Sequence, residues 1–207
     1  MALQQAFVQL LTERPYEAIT IREIVALAGT ALGSFYVYFR DKDDLARVCL
    51  HMRTKSLREV MREALARWGG RNLRVIVRET IDALLDACLE HPAEWALHFL
   101  LERHLSPLSA YKKSHLQFSM DWMALINSSR DAPLSVRTPN VASACHTLLH
   151  GLISHACLIN ASDGSSAALL SQQAHSAIWS FLKANWLVEP SAKPPQASAA
   201  TKSRPAH

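Results

Sequence analysis

Glycine is scarce in this sequence, 6 of 207 residues, and only 19% of positions carry charge. With 49% hydrophobic residues, that scarcity predicts a packed, mostly helical chain. No run of eighteen or more apolar residues occurs, so no membrane-spanning segment and no membrane partner is predicted. The amino terminus has no basic stretch ahead of an apolar run, the pattern of a secretory signal. Cys49, Cys88, Cys145 and Cys157 form no C-x-x-C pair, which predicts reduced thiols in a cytoplasmic protein. There is no G-x-S-x-G elbow, no glycine-rich phosphate loop and no H-E-x-x-H, so no enzyme, cofactor or metal motif is present. The formal charge of +4 is weak evidence of a polyanionic partner, because Lys193, Lys202 and Arg204 stand against Glu189 alone in the last residues.

What is present is concentrated between Thr20 and Lys42. Thr20 and Glu23 have capping-box spacing, and Ile21, Ile24, Val25 and Ala28 recur at helical spacing. Gly29 supplies a stop. A second short helix is predicted over 32–39, with Phe35 and Phe39 on its buried side. Two such helices are too short to stand alone, and joined by a glycine turn they read as a helix-turn-helix. Gly33 leaves the second helix bare near its start, where it can approach base edges. Leu3, Phe7, Leu10 and Leu11 predict a first helix, stopped at Pro15, that closes a small core.

Ala28-Gly29, Gly33, Phe35-Tyr36, Tyr38-Phe39, Lys42 and Leu45 resemble the signature of TetR-type transcriptional regulators, over about the first quarter of the chain. The resemblance implies an all-α, TetR-like fold. An N-terminal three-helix helix-turn-helix domain would occupy 1–47, and a larger helical ligand-binding and dimerisation domain 48–188, with a disordered tail over 189–207. It implies a repressor that binds an inverted-repeat operator on double-stranded DNA as a dimer and responds to a small ligand. On this reading Thr30, Leu32, Gly33, Ser34 and Val37 meet bases; Thr20, Tyr36, Tyr38 and Lys42 meet phosphates. Two features depart from the pattern. Ala31 stands where Ser or Thr normally caps the recognition helix, a loss of about 1 kcal/mol, and the first helix begins without a basic arm. A dimeric helical small-molecule-binding module with weakened or lost DNA binding is therefore the alternative.

The remaining chain reads as helices over 42–68, 72–91, 93–105, 107–129, 139–160 and 166–187. Segment 93–105 is apolar almost all round, which predicts burial. Asp41 caps the long helix, and Ser106-Pro107 and Thr138-Pro139 are start signals. Trp95, His98, Phe99, Phe118, Trp122 and Met123 supply aromatic and thioether surface with sparse polar groups, the composition of a ligand cavity and equally of an ordinary core. Segment 92–106 resembles the TetR subgroup repressing fatty-acid desaturation or synthesis genes, which implies an apolar or amphipathic, acyl-CoA-like effector. Ala142, Ala144, Leu148, Leu149, Leu152, Ile153 and Ala156, with Ala174, Ile178, Phe181 and Leu182, give the last two helices broad apolar faces that fit a homodimer or close the monomer core. His146 and His150 have the spacing of two ligands on one helix, and His98, His104, His115 and His155 are in principle available. Without a converging acid these read as cavity linings or core histidines rather than a metal site.

Overall fold

The structure, a computed structural model, describes residues 2–159 and 166–186. Within them the backbone forms nine α-helices and one 3₁₀ turn, with no strand. The elements are α1 Ala2–Glu13, the turn Tyr16–Ala18, α2 Ile21–Leu27, α3 Leu32–Tyr38, α4 Lys42–Trp68, α5 Leu73–Leu89, α6 Pro92–Leu105, α7 Leu108–Ser128, α8 Pro139–Ile159 and α9 Ser166–Trp186. The predicted turn over 162–165 and the tail lie outside the described residues.

Local chemistry sets the boundaries. The Thr20 hydroxyl accepts from the Glu23 N–H at 3.3 Å, and Glu23 Oε2 accepts from the Thr20 N–H at 2.8 Å, completing the capping box. At the other end of α2, Gly29 takes φ +65. Its N–H donates to Ala26 and that of Thr30 to Val25, the paired bonds of a Schellman stop. Ala31 has cap geometry, φ −80 and ψ 150, but no side chain to accept a bond. Asp41 caps α4 by accepting from the Asp44 N–H at 2.7 Å. Thr138 caps α8 through the Val141 N–H at 3.3 Å. The start of α7 differs from the predicted one: Pro107 is the cap residue without a side-chain bond, and Ser106 instead ends α6.

Two apolar cores result. The small one gathers Leu3, Phe7, Leu10, Leu11, Ile24, Val25, Phe35, Leu45 and Leu50, and is completed by Leu101 from α6. The larger one runs from Met61 through α5, α7, α8 and α9, with Trp122 at its centre. At 1.5 Å per residue α4 is about 40 Å long, enough to serve both cores. Arg58 clamps it to α7 through a two-bond pair with Asp121, at 2.5 and 3.1 Å. Arg53 clamps it to α6 through Glu94.

One expectation needs correction, and one pair of open readings is narrowed. Helix α6 is not buried all round: Leu100 is 54% exposed, because the helix lies between the two cores and presents its remaining side to solvent. Most of the apolar positions of α8 and α9 also do not wait for a partner. Ala142, Leu149, Ile153, Ala156, Ala174, Ile178 and Leu182 are buried within the protomer. Left open are a narrower α8 strip through Thr147, Gly151, His155 and Ile159 and the exposed Leu169 of α9. By length and composition α8 is also the one described helix able to cross a membrane, although no uninterrupted apolar run announces it; here it packs against α6, α7 and α9.

The cap geometry makes a paired test. Ala31→Ser should raise stability by about 1 kcal/mol, since the backbone already has the cap conformation. Gly29→Ala, forced to positive φ, should lower it by about 1 kcal/mol. Urea unfolding of both variants reads the two shifts directly.

Candidate nucleic-acid interface and helical cavity

Helix α3 is seven residues long and is held from beneath. Phe35 is completely buried, and the partly buried Phe39 packs beside it with ring centroids 5.6 Å apart. The opposite side faces out. Tyr36, Val37 and Tyr38 are 56%, 75% and 73% exposed, Leu32 is exposed, and Ser34 is half-buried. Gly33 has nothing within 4 Å of where a Cβ would stand, so its turn of helix is open to close approach. An outward ridge of large side chains around a bare backbone is unusual on a free surface and suits a groove.

Three predicted contacts are modified. The Thr30 hydroxyl is buried without a hydrogen-bond partner, so it does not face the surface on which base contact was expected. The Lys42 ammonium donates to the carbonyls of Tyr16 and Ile19 at 2.7 and 2.8 Å and lies 4.2 Å from the centre of the Tyr16 ring. It ties the turn after α1 to the start of α4 before it can serve a phosphate. The Thr20 hydroxyl is exposed but engaged in the capping box. Arg40, exposed beside the end of α3 and paired with Asp44 at 3.3 Å, is a cation the sequence reasoning passed over. The Tyr16 hydroxyl donates to Asp43, and burial first, then that bond, pushes its pKa up.

Residues of α4, α6, α7 and α8 line a half-open cavity of about 420 Å³, whose mouth includes the exposed Leu108, Tyr111 and Lys112. Its walls include Leu57, Phe99, Phe118, His98, His115, His146 and His150. Of the six residues expected to line a ligand site, His98, Phe99 and Phe118 do so. Trp95 does not: its indole N–H donates to the Ala87 carbonyl at 3.0 Å and its ring fills the core. Trp122 is 1% exposed and Met123 packs against the same core. His115, His146 and His150 also line it, in keeping with their reading as cavity histidines, and Glu102 is a lining residue that no spacing in the sequence marks. Of the other histidines, His104 sits against Tyr16 and His155 is exposed. No group of three or more His, Cys, Asp or Glu among the described residues is arranged to hold a metal. All four cysteines are free. Burial pushes the Cys49 and Cys157 thiols to about 11 and Cys145 to about 12, which leaves them poor nucleophiles.

Helix α6 joins the two regions. Leu97, Leu101 and Leu105, four apart, pack into the small core, while His98, Phe99 and Glu102 of the same turns face the cavity.

Residues 5–49 match the family of bacterial regulatory proteins, tetR family. The fold is that of several solved proteins at low identity. A protein of Pseudomonas aeruginosa PAO1 superposes with a TM-score of 0.70 at 17% identity, covering 88% of each chain. A TetR-like transcriptional regulator from Rhodococcus sp. RHA1 gives 0.64 at 15%, covering 88% of this chain and 94% of that one. The transcriptional regulator FadR from Bacillus subtilis, solved in complex with stearoyl-CoA, gives 0.60 at 15%, covering 90% and 97%. Residues 5–49 thus carry the match to the tetR family of bacterial regulatory proteins, and the described helices as a whole take the fold of TetR regulators.

Proposed function

We propose that this chain is a ligand-responsive, DNA-binding transcriptional repressor that acts in the cytoplasm as a homodimer on an inverted-repeat operator. The observation that carries the reading is the orientation of α3: Phe35 sealed below, Gly33, Tyr36, Val37 and Tyr38 presented above. A helix filling a hairpin would bury those tyrosines instead. Leu32, Gly33, Ser34 and Val37 are the base-contacting group; Tyr36, Tyr38 and Thr20 meet flanking phosphates, and Lys42 supports them from behind. Two copies would set their α3 helices about 34 Å apart, one turn of duplex. The exposed α8 strip through Thr147, Gly151 and His155 supports a dimer contact, because the bare backbone at Gly151 permits close approach of a second copy.

The effector enters the cavity behind α6. A molecule pressing on His98, Phe99 or Glu102 displaces the helix whose other face carries Leu101, and the small core under α3 must follow. Packed interfaces answer such a push by switching between discrete arrangements rather than by stretching. The effector is a small apolar or amphipathic molecule; an acyl thioester of the kind bound to Bacillus FadR has its apolar part suited to Leu57, Phe99 and Phe118.

A gel-shift titration against the chain's own upstream region tests the reading. Specific retardation that weakens steeply with salt is expected; a duplex-independent result at every salt concentration favours the binding-module alternative. Tyr36→Phe should weaken binding to operator and unrelated duplex about equally, since a phosphate contact carries no sequence information. Lys42→Ala should do the same, and also lower stability by about 1.5–3 kcal/mol as two carbonyls lose a charged donor. Loss confined to the operator would reassign Tyr36 to base contact.

A further inference from the structure

The cavity has a polarity that an apolar effector leaves unused. His146 and His150, one turn apart on α8, have ring centroids 5.5 Å apart, and His115 of α7 stands 5.1 Å from His146. Phe118 stacks on His146 at 4.8 Å and 8°, and Phe99 meets His150 edge-on at 5.3 Å. His115 is held by the Ser143 hydroxyl at 2.9 Å. No described residue hydrogen-bonds the rings of His146 or His150, and their nitrogens are not among the sealed, unpartnered polar atoms, so they meet the cavity space.

The charged neighbours are few. Arg53 of α4, Glu102 and Arg103 of α6, Tyr111 and Lys112 of α7 and the histidines themselves surround the group. Glu102, with Thr54, Tyr111 and Ser114, also lines the adjoining cleft, so it stands at that end of the cavity rather than among the imidazoles. Burial raises its pKa, and Arg103 opposes the rise. Burial, then His150 and His115, lowers His146 to about 3; burial, then Arg103 and His115, lowers His150. Burial, then Arg53 and His150, lowers His98 to about 3. Burial thus favours neutral imidazoles here, packed face and edge against phenyl rings.

We propose that this cavity binds an organic carboxylate, with its carboxylate on the His146–His150 pair and its apolar part against Leu57, Phe99 and Phe118, and that one proton is taken from solvent on binding. The proposal rests on the reading of the cavity as the effector site. The step balances as a neutral imidazole, a carboxylate and a solvent proton giving an imidazolium–carboxylate pair, with no covalent bond to carbon made or broken. An adjacent anion favours the charged ring, and a charge so buried is tolerable only when paired. Aromatic and alkyl acids share this chemistry.

Isothermal titration of the full chain with 1-naphthoate and octanoate, and with the neutral 1-naphthalenemethanol and octanol, separates the possibilities. Runs at pH 6 to 8 in two buffers of different ionisation enthalpy count protons. At least one acid should bind more tightly than its alcohol, with uptake of about one proton and affinity rising up to about tenfold per unit fall in pH. The better acid names the apolar part as aromatic or alkyl. The double variant His146→Gln with His150→Gln should remove the proton uptake and pH slope while alcohol binding persists. Acid binding without proton uptake, or alcohols binding as tightly as acids, overturns the proposal and leaves the effector reading standing. If no probe binds, both fall.

Discussion

A seven-residue helix without a capping side chain has no stability of its own, because the cost of its first turn is never recovered over so short a length. Helix α3 exists because Phe35 is anchored in a core made by α1, α2 and the start of α4. Burying that one ring settles the direction of every other side chain in the helix. Tyr36 and Val37, one and two positions on, are turned to solvent by helical geometry, and Tyr38, the last residue of the helix, is exposed beside the extended Phe39. The candidate DNA surface is thus the outward consequence of an inward contact.

The same small core depends on something outside the amino-terminal unit. Leu101 reaches it from α6, more than fifty residues beyond the helix-turn-helix, and Leu97 and Leu105 support it. The faces of α6 therefore answer to two different environments, one apolar core and one cavity wall. That arrangement explains the exposed Leu100 as well: a helix serving two neighbours has a side left over. Arg53–Glu94 and Arg58–Asp121 hold α4 to α6 and α7, so the long helix is tied along the stretch between its two buried ends.

The cavity combines features that a simple apolar pocket does not need. Stacked and edge-on rings give it shape, and desolvation favours the uncharged form of its histidines. Such groups are costly to leave unpartnered, and their partner is supplied either by water or by a ligand with matching polarity.

The amino-acid sequence by itself determined whatever depends on neighbours close along the chain: the helical class, the caps at Thr20, Asp41 and Thr138, the stop at Gly29, the missing cap at Ala31 and the outward aromatic ridge. These are set within a turn or two of helix, so spacing reveals them. Tertiary structure alone decided which apolar and polar side chains meet. Trp95, Trp122 and Met123 have the composition of a ligand wall yet fill the core, while His115 of α7 converges with His146 and His150 of α8. The faces of α8 and α9 look free in sequence and are largely consumed within the protomer. Lys42 shows the same division: its position in the motif is legible, but the two carbonyls that claim its ammonium come from a turn over twenty residues earlier, and only the folded chain brings them within reach.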